Sequence, residues 1–264
     1  MKIQVNGHKV HYNAGSGSPA ADAPAIVFVH GAGFDGSVWV MPARYFARHG
    51  YRVVAPDLPG HGRSEGPALT SIEAMAAWVV DLVAALPAER FAIFGHSMGS
   101  LVAMETALRY SDKVTHLALL GASAPMPVGA PLLNAAEDDH AAAFAMANTW
   151  SHSAQGQLGA SASPGMSNLN SGQRWLERNV SGTYFADLGA CNAYQGALQE
   201  FAMPALVIAG SDDKMTPVRA GLSLAQACGV TQTCVLPGCG HSMLSEQPNQ
   251  VLDALITLMQ THVA

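Results

Sequence analysis

The apolar positions of the chain follow two successive patterns. Residues 2–12 alternate between apolar and polar around Asn6-Gly7, a pair that tolerates positive φ at both centres of a tight turn, so a β-hairpin is predicted there. From residue 25 onward the alternation gives way to short continuous apolar runs at 25–29, 51–55, 90–94, 114–120 and 205–209, with a shorter one at 233–236. Such runs suit strands covered on both faces, as in a parallel sheet. Between them apolar residues recur every three or four positions. Ile72, Met75, Ala76, Val79, Val83 and Leu86 mark one helix, with Thr70 and Glu73 as its capping box and Pro87 as its stop. A last helix begins near Pro248 and turns Val251, Leu252, Leu255, Ile256 and Met259 inward. Alternating strands and helices imply right-handed crossovers and an α/β fold: a doubly wound, mostly parallel sheet with flanking helices.

The rhythm fails between residues 122 and 200, which predicts a core built from residues 1–121 and 201–264 with an inserted lid or cap at 122–200. Residues 151–173 are rich in Ser, Gly, Asn and Ala, whereas Trp150, Trp175, Tyr184, Phe185 and Tyr194 bring enough aromatic area to pack onto something. An ordered cap with one mobile stretch is therefore expected. A length of 264 residues suits one domain carrying one insertion.

Composition narrows the function classes. Apolar residues make up 49% of the chain and charged ones 12%, which favours a buried core over disorder. A net charge of −6, with 13 Lys and Arg scattered along the chain, argues against nucleic acid as a partner. The first residues reach a polar turn before any signal-peptide-like apolar centre, and no run approaches the roughly 18 continuous apolar residues of a membrane span. A cytoplasmic protein without a membrane span is expected. Cys191, Cys228, Cys234 and Cys239 have neither C-x-x-C nor zinc-ligand spacing and read as small buried residues. No metal or cofactor is implied, and oligomeric state leaves no readable trace.

The candidate chemistry centres on Gly95-His96-Ser97-Met98-Gly99, which follows an apolar strand run and precedes a helical one. A sharp strand-to-helix turn holds its central serine strained and exposed, and the flanking glycines let neighbouring backbone pass. A serine hydroxyl needs a general base. His241 qualifies, because it ends the Gly-rich loop Pro237-Gly238-Cys239-Gly240-His241 after the last strand run; His96 reads as structural. The base in turn needs a carboxylate. The run at 205–209 ends in Gly210-Ser211-Asp212-Asp213, which offers two. The run at 114–120 ends in Gly121-Ala122-Ser123, which offers none, and Asp57 reads as a loop-shaping residue. The tetrahedral oxyanion must meet backbone N–H donors, and Met98, following the serine at a helix start, supplies one.

Together, His30-Gly31-Ala32-Gly33, Asp57-Leu58-Pro59-Gly60-His61-Gly62-Arg63-Ser64, the Gly95 to Gly99 segment, the Gly210 to Pro217 segment and Gly240-His241 resemble the α/β-hydrolase superfamily in its motif order. The resemblance covers nearly the whole chain outside the insertion. It implies an α/β-hydrolase fold, a catalytic triad of Ser97, Asp213 and His241, and no cofactor. It selects Asp213 over Asp212 by position, three residues after the strand-ending glycine and four before Pro217. Similarity to monoacylglycerol lipases in the H-G-A-G segment implies Ala32 as the second oxyanion N–H. Serine at the elbow sets the chain apart from relatives of this fold that carry aspartate there.

The activity this implies is carboxylic ester hydrolysis through an acyl-enzyme, with a small-molecule ester as partner. The same triad also serves perhydrolases, enzymes that cleave thioesters, lactones or amides, and carbon–carbon bond hydrolases, and some proteins of this type act as ligand receptors. Phe34, Trp39 and Trp150 are the candidate substrate-pocket residues, with Met98 beside them. Arg174 and Arg178, four apart, read as a solvated face.

Overall fold

A computed structural model describes residues 1–138, 140–159, 161 and 165–261. Lys2–Val5 (β1) and His8–Asn13 (β2) form the expected hairpin, with Asn6 at φ 50° and Gly7 at φ 81° in its turn. β2 pairs antiparallel with Arg52–Pro56 (β4). The remaining pairings are parallel, through Ala25–Val29 (β3), Phe91–His96 (β5), Val114–Leu120 (β6), Ala205–Gly210 (β7) and Gln232–Leu236 (β8). The eight-stranded order is β1-β2-β4-β3-β5-β6-β7-β8. The winding direction reverses at β3 and β5, which lie side by side with Val29 opposite Gly95. The loops leaving their carboxyl ends therefore meet in a crevice, the place where open α/β sheets bind ligands.

Each central strand is buried on both faces, and the period of two divides its residues between two cores. Val27, Val29 and Ile93 face a core built with Ile72–Ala84 (α2), Met98–Arg109 (α3) and part of Val218–Ala227 (α9). Ile26, Phe28 and Phe94 face the opposite core, filled by Trp39, by Phe46 of Val40–Arg48 (α1), and by Val251, Leu255 and Leu258 of Pro248–Met259 (α10). The C-terminal helix thus starts at Pro248 as expected. Its deepest row includes Leu258, while Leu252, Ile256 and Met259 are only half-buried. The cap of α2 also differs from expectation: Ser71, not Thr70, accepts the Ala74 N–H at 3.2 Å. A side-chain oxygen serves two or three residues ahead of itself, and the helix starts one residue later than the Thr70–Glu73 spacing implied.

Between β6 and β7 the described residues form Ala130–Asp138 (α4), His140–Ser151 (α5), Ala154–Gln157 (α6), Asn168–Leu176 (α7) and Thr183–Ala193 (α8). They have a small core of their own in which Leu132, Phe144, Leu176, Tyr184 and Leu188 pack together. The stretch expected to be mobile lies partly outside the described residues, at 160 and 162–164. Cys191, Cys228 and Cys239 are buried thiols and Cys234 is half-buried. Among the described residues no helix is long and apolar enough to cross a membrane.

Candidate active site

β5 delivers Ser97 into a turn at φ 55° and ψ −121°, immediately before α3. A positive φ is costly for a residue with a Cβ, and here the surroundings enforce it. The Ser97 N–H donates to the Leu120 carbonyl at 2.9 Å and its own carbonyl accepts the Ser100 N–H at 2.8 Å. Both flanking glycines are obligatory: a Cβ on Gly95 would lie 1.9 Å from the Gly99 carbonyl oxygen, and one on Gly99 would lie 2.2 Å from that of Val29. The loop after β3 passes close by, since a Cβ on Gly31 would lie 3.2 Å from that of Ser97. The N–H groups of Ala32 and Met98 find no acceptor among the described residues.

His241 meets Asp213 across the ends of β7 and β8. Its Nδ1 donates to Asp213 Oδ2 at 2.7 Å, which fixes the tautomer and leaves a lone pair on Nε2. Nε2 is buried and has no partner among the described residues. Asp213 Oδ1 accepts the N–H groups of Met215 and Thr216, both at 2.8 Å, and Oδ2 also accepts the Thr216 hydroxyl at 2.8 Å. Burial raises the Asp213 pKa, but the His241 ring and these hydrogen bonds outweigh it, holding the carboxyl below its ordinary 3.8. His96 Nε2 donates to the His241 carbonyl at 2.8 Å, a fixing contact for the loop rather than a reactive one. Burial, then the neighbouring His241, push the His96 pKa down to about 3. Asp212 is exposed and takes the Ser211 hydroxyl instead.

Ser97 and His241 line one cavity of about 270 Å³, together with Ala32, Phe34, Trp150 and Lys214. Its remaining walls are mainly apolar and come largely from the helical insertion, including Leu132, Leu176, Tyr184 and Leu188. Phe34 also packs edge-on against Trp175, with ring centroids 6.0 Å apart. Two sequence-based expectations are corrected. Trp39 is not a pocket residue: it closes a short 3₁₀ turn, Gly36–Trp39, that drives the indole back under the sheet, fully buried 5.1 Å from Phe28. The Met98 side chain likewise points into the core beneath α3, leaving only its backbone for the site. Arg174 pairs with Glu177 and Arg178 with Asp35, and neither lines the cavity. Asp57 accepts the Gly36 and Arg63 N–H groups, as a loop-shaping carboxylate does.

A profile of the alpha/beta hydrolase fold family matches residues 24–248. The chain belongs to this family. It is similar to a 2-hydroxy-6-oxononadienedioate/2-hydroxy-6-oxononatrienedioate hydrolase of Paraburkholderia phymatum, 30% identical over 88% of this chain and 84% of the relative. It is also similar to an (E)-2-((N-methylformamido)methylene)succinate hydrolase of Acinetobacter baylyi, 26% identical over 97% of this chain and 96% of that one. Among solved structures, the enol-lactonase of Burkholderia xenovorans LB400 superposes with a TM-score of 0.83 at 24% identity, covering 99% of this chain and 100% of its own.

In this hydrolase two residues without a role in the sequence reading touch the His241 ring. Thr216 Oγ1 lies 3.1 Å from Nδ1. Its signal was the Asp-x-x-Thr spacing of Asp213 and Thr216, which lets a carboxylate close a turn onto the residues after it. Gly121, at φ 57°, leaves space for the ring: a Cβ there would lie 3.0 Å from Cε1 and Nδ1. No sequence signal near Gly121 announces a ring that lies 120 positions away.

Proposed function

We propose that this hydrolase cleaves carboxylic esters, open-chain or cyclic, through an acyl-enzyme on Ser97. The observation that carries the reading is the unpartnered Nε2 of His241, oriented by Asp213 and lining the same apolar cavity as the strained Ser97. In the proposed sequence the Ser97 hydroxyl turns onto Nε2, gives up its proton and attacks the ester carbonyl. The N–H groups of Ala32 and Met98 receive the oxyanion. The His241 imidazolium then protonates the departing alkoxide, leaving the acyl group on Ser97. Water, deprotonated by His241, releases the acid and restores the serine.

Carbon–carbon cleavage is the second reading, favoured by the similarity to the Paraburkholderia phymatum hydrolase, whose named substrates are dioates. A dianion calls for fixed cations. Among the described cavity residues the one cationic side chain is Lys214, which is exposed. That supports an uncharged acyl group and favours the ester reading.

The test is a fluorophosphonate probe with mass mapping of the labelled residue, followed by nitrophenyl esters of graded chain length. Labelling of Ser97, ester turnover, and loss of both in Ser97→Ala with an unchanged melting temperature are expected. Turnover that survives Ser97→Ala would sink the mechanism. Slow ester turnover beside fast cleavage of a vinylogous diketone acid would move the assignment to the second reading.

A further inference from the structure

Away from Ser97, Asp213 and His241, a second buried polar cluster ties the helical insertion to the loop after β3. Asp187, on α8, has no exposed surface. Its Oδ2 accepts the Gly33 N–H at 2.8 Å and a hydrogen bond from His61 Nε2 at 2.8 Å. His61 Nδ1 faces the Pro59 carbonyl at 3.0 Å. Both ring nitrogens therefore face oxygen, and the arrangement is satisfied when both carry protons, making the contact an ion pair. Burial disfavours that charge, but the Asp187 carboxylate outweighs burial and holds the His61 pKa above its ordinary value. The Gly33 carbonyl is held as well, accepting from Asn179 Nδ2 at 2.6 Å. Gly33 sits at φ 70°, and a Cβ there would lie 2.7 Å from Tyr184 Cδ2.

Both peptide groups of Gly33 are thus gripped by residues of the insertion, and Gly33 directly follows Ala32. One residue earlier, the Gly31 carbonyl accepts from His30 Nδ1 at 2.9 Å and from the Phe34 N–H at 3.2 Å. In a trans peptide the N–H points opposite to the carbonyl, so these donors also direct the Ala32 N–H away from themselves. A loop with glycines at 31 and 33 has wide conformational freedom unless it is held.

We propose that Asp187, supported by His61 and Asn179, is a positioning residue that aims the Ala32 N–H at the oxyanion, so that the insertion is a working part of the oxyanion hole as well as its roof. The proposal rests on the reading of Ser97 as nucleophile. An oxyanion donor acts in the transition state far more than on bound substrate, so loosening it lowers kcat and spares KM.

The experiment compares Asp187→Leu, Asp187→Asn and Tyr194→Phe. Active sites are counted by end-point fluorophosphonate labelling of Ser97, and kcat and KM on a nitrophenyl ester are expressed per labelled site. Asp187→Leu is expected to lower kcat per site about 10- to 100-fold with KM changed less than about threefold. Asp187→Asn, whose amide oxygen still accepts the Gly33 N–H, is expected to recover part of that loss. Tyr194→Phe breaks a 2.6 Å bond to Glu105 at the far end of α8, and is expected to lower Tm with kcat per site unchanged. If Asp187→Leu does not fold, Asn179→Ala gives the same readout with a loss of about three- to tenfold. A folded Asp187→Leu with unaltered kcat per site, or an equal loss in Tyr194→Phe, would overturn the proposal. Failure to label Ser97 in the unaltered protein is the separate mark of a wrong nucleophile assignment.

Discussion

The Thr216 hydroxyl stands between the acid and the base, 2.8 Å from Asp213 Oδ2 and 3.1 Å from His241 Nδ1. Since it donates to the carboxylate, it meets the imidazole with a lone pair and adds a second acceptor for the Nδ1 proton. Thr216→Val keeps the shape and removes both interactions. A hydrogen bond to a charged group contributes about 1.5–3 kcal/mol, so kcat is expected to fall on the order of tenfold while Ser97 labelling goes to completion. Full activity in Thr216→Val would show that the Asp213 carboxylate needs only its two backbone donors. That Asp213, His241 and Ser97 come together in one place was legible because each follows a strand run in a loop of recognisable composition. Trp39 and the Met98 side chain were misplaced because nearness in sequence says nothing about the direction in which a short helical turn points its residues.

At the scale of elements, the loop that carries His241 is pinned by the insertion rather than by the sheet alone. The Ser242 N–H donates to the Ser151 carbonyl at 2.8 Å, and the Glu246 carboxylate takes the Ser153 hydroxyl at 2.5 Å and the Gly240 N–H at 3.2 Å. Gly240 has no room for a side chain, since a Cβ would lie 2.6 Å from the Ser153 nitrogen. Glu246→Ala leaves these donors without their acceptor. A loss of about 2 kcal/mol is expected, read as a Tm lower by roughly 4–8 °C, with kcat falling several-fold as the loop loosens. An unchanged Tm would mean that water replaces the carboxylate without loss. The inner strands β3 to β7 were legible to within a residue or two because burial on both faces leaves continuous apolar runs, whereas β8, expected to be covered in the same way, lies at the sheet edge and exposes Thr233 and Val235. The insertion's helices were not: α5 is rich in alanine and carries little period, and the insertion's ties, from Ser153 to Gly240, from Asp187 to Gly33 and from Thr183 to Gly60, join residues about 90 to 150 positions apart. Such pairings are set by how the chain closes on itself, and no local spacing encodes them.

At the scale of the whole molecule, the buried histidines set how the fold answers to acid. His30 donates from Nδ1 to the Gly31 carbonyl and accepts the Leu58 N–H on Nε2 at 3.1 Å, an arrangement open only to the neutral ring. Burial first, and the charge of His61 next, push its pKa down to about 4, while His96 is pushed down to about 3. Unfolding returns both to their ordinary 6.5. Between that value and the folded ones the unfolded chain binds protons that the native chain refuses, so stability is present above 6.5 and is lost as pH falls. Each ring contributes up to about 1.4 kcal/mol per pH unit. His61 has the opposite sign: its folded pKa is raised, so its contribution is complete below 6.5 and is lost as pH rises through the folded value. Asp213 acts only below its ordinary 3.8. Glu65, lowered first by the Lys9 N–H bond, acts below its ordinary 4.5, so from 6.5 to 4.5 the resolved shifts that cost stability as pH falls are those of His30 and His96. Urea unfolding at pH 7.5, 6.5, 5.5 and 4.5 is expected to show little change over the first step and a steep fall in midpoint over the next two. In His96→Asn, whose amide can still donate to the His241 carbonyl, the slope is expected to drop by about half because one of the two titrating rings is gone. A midpoint that holds steady down to pH 4.5 would mean that the rings are already protonated in the native fold, and that the Leu58 N–H has found another acceptor.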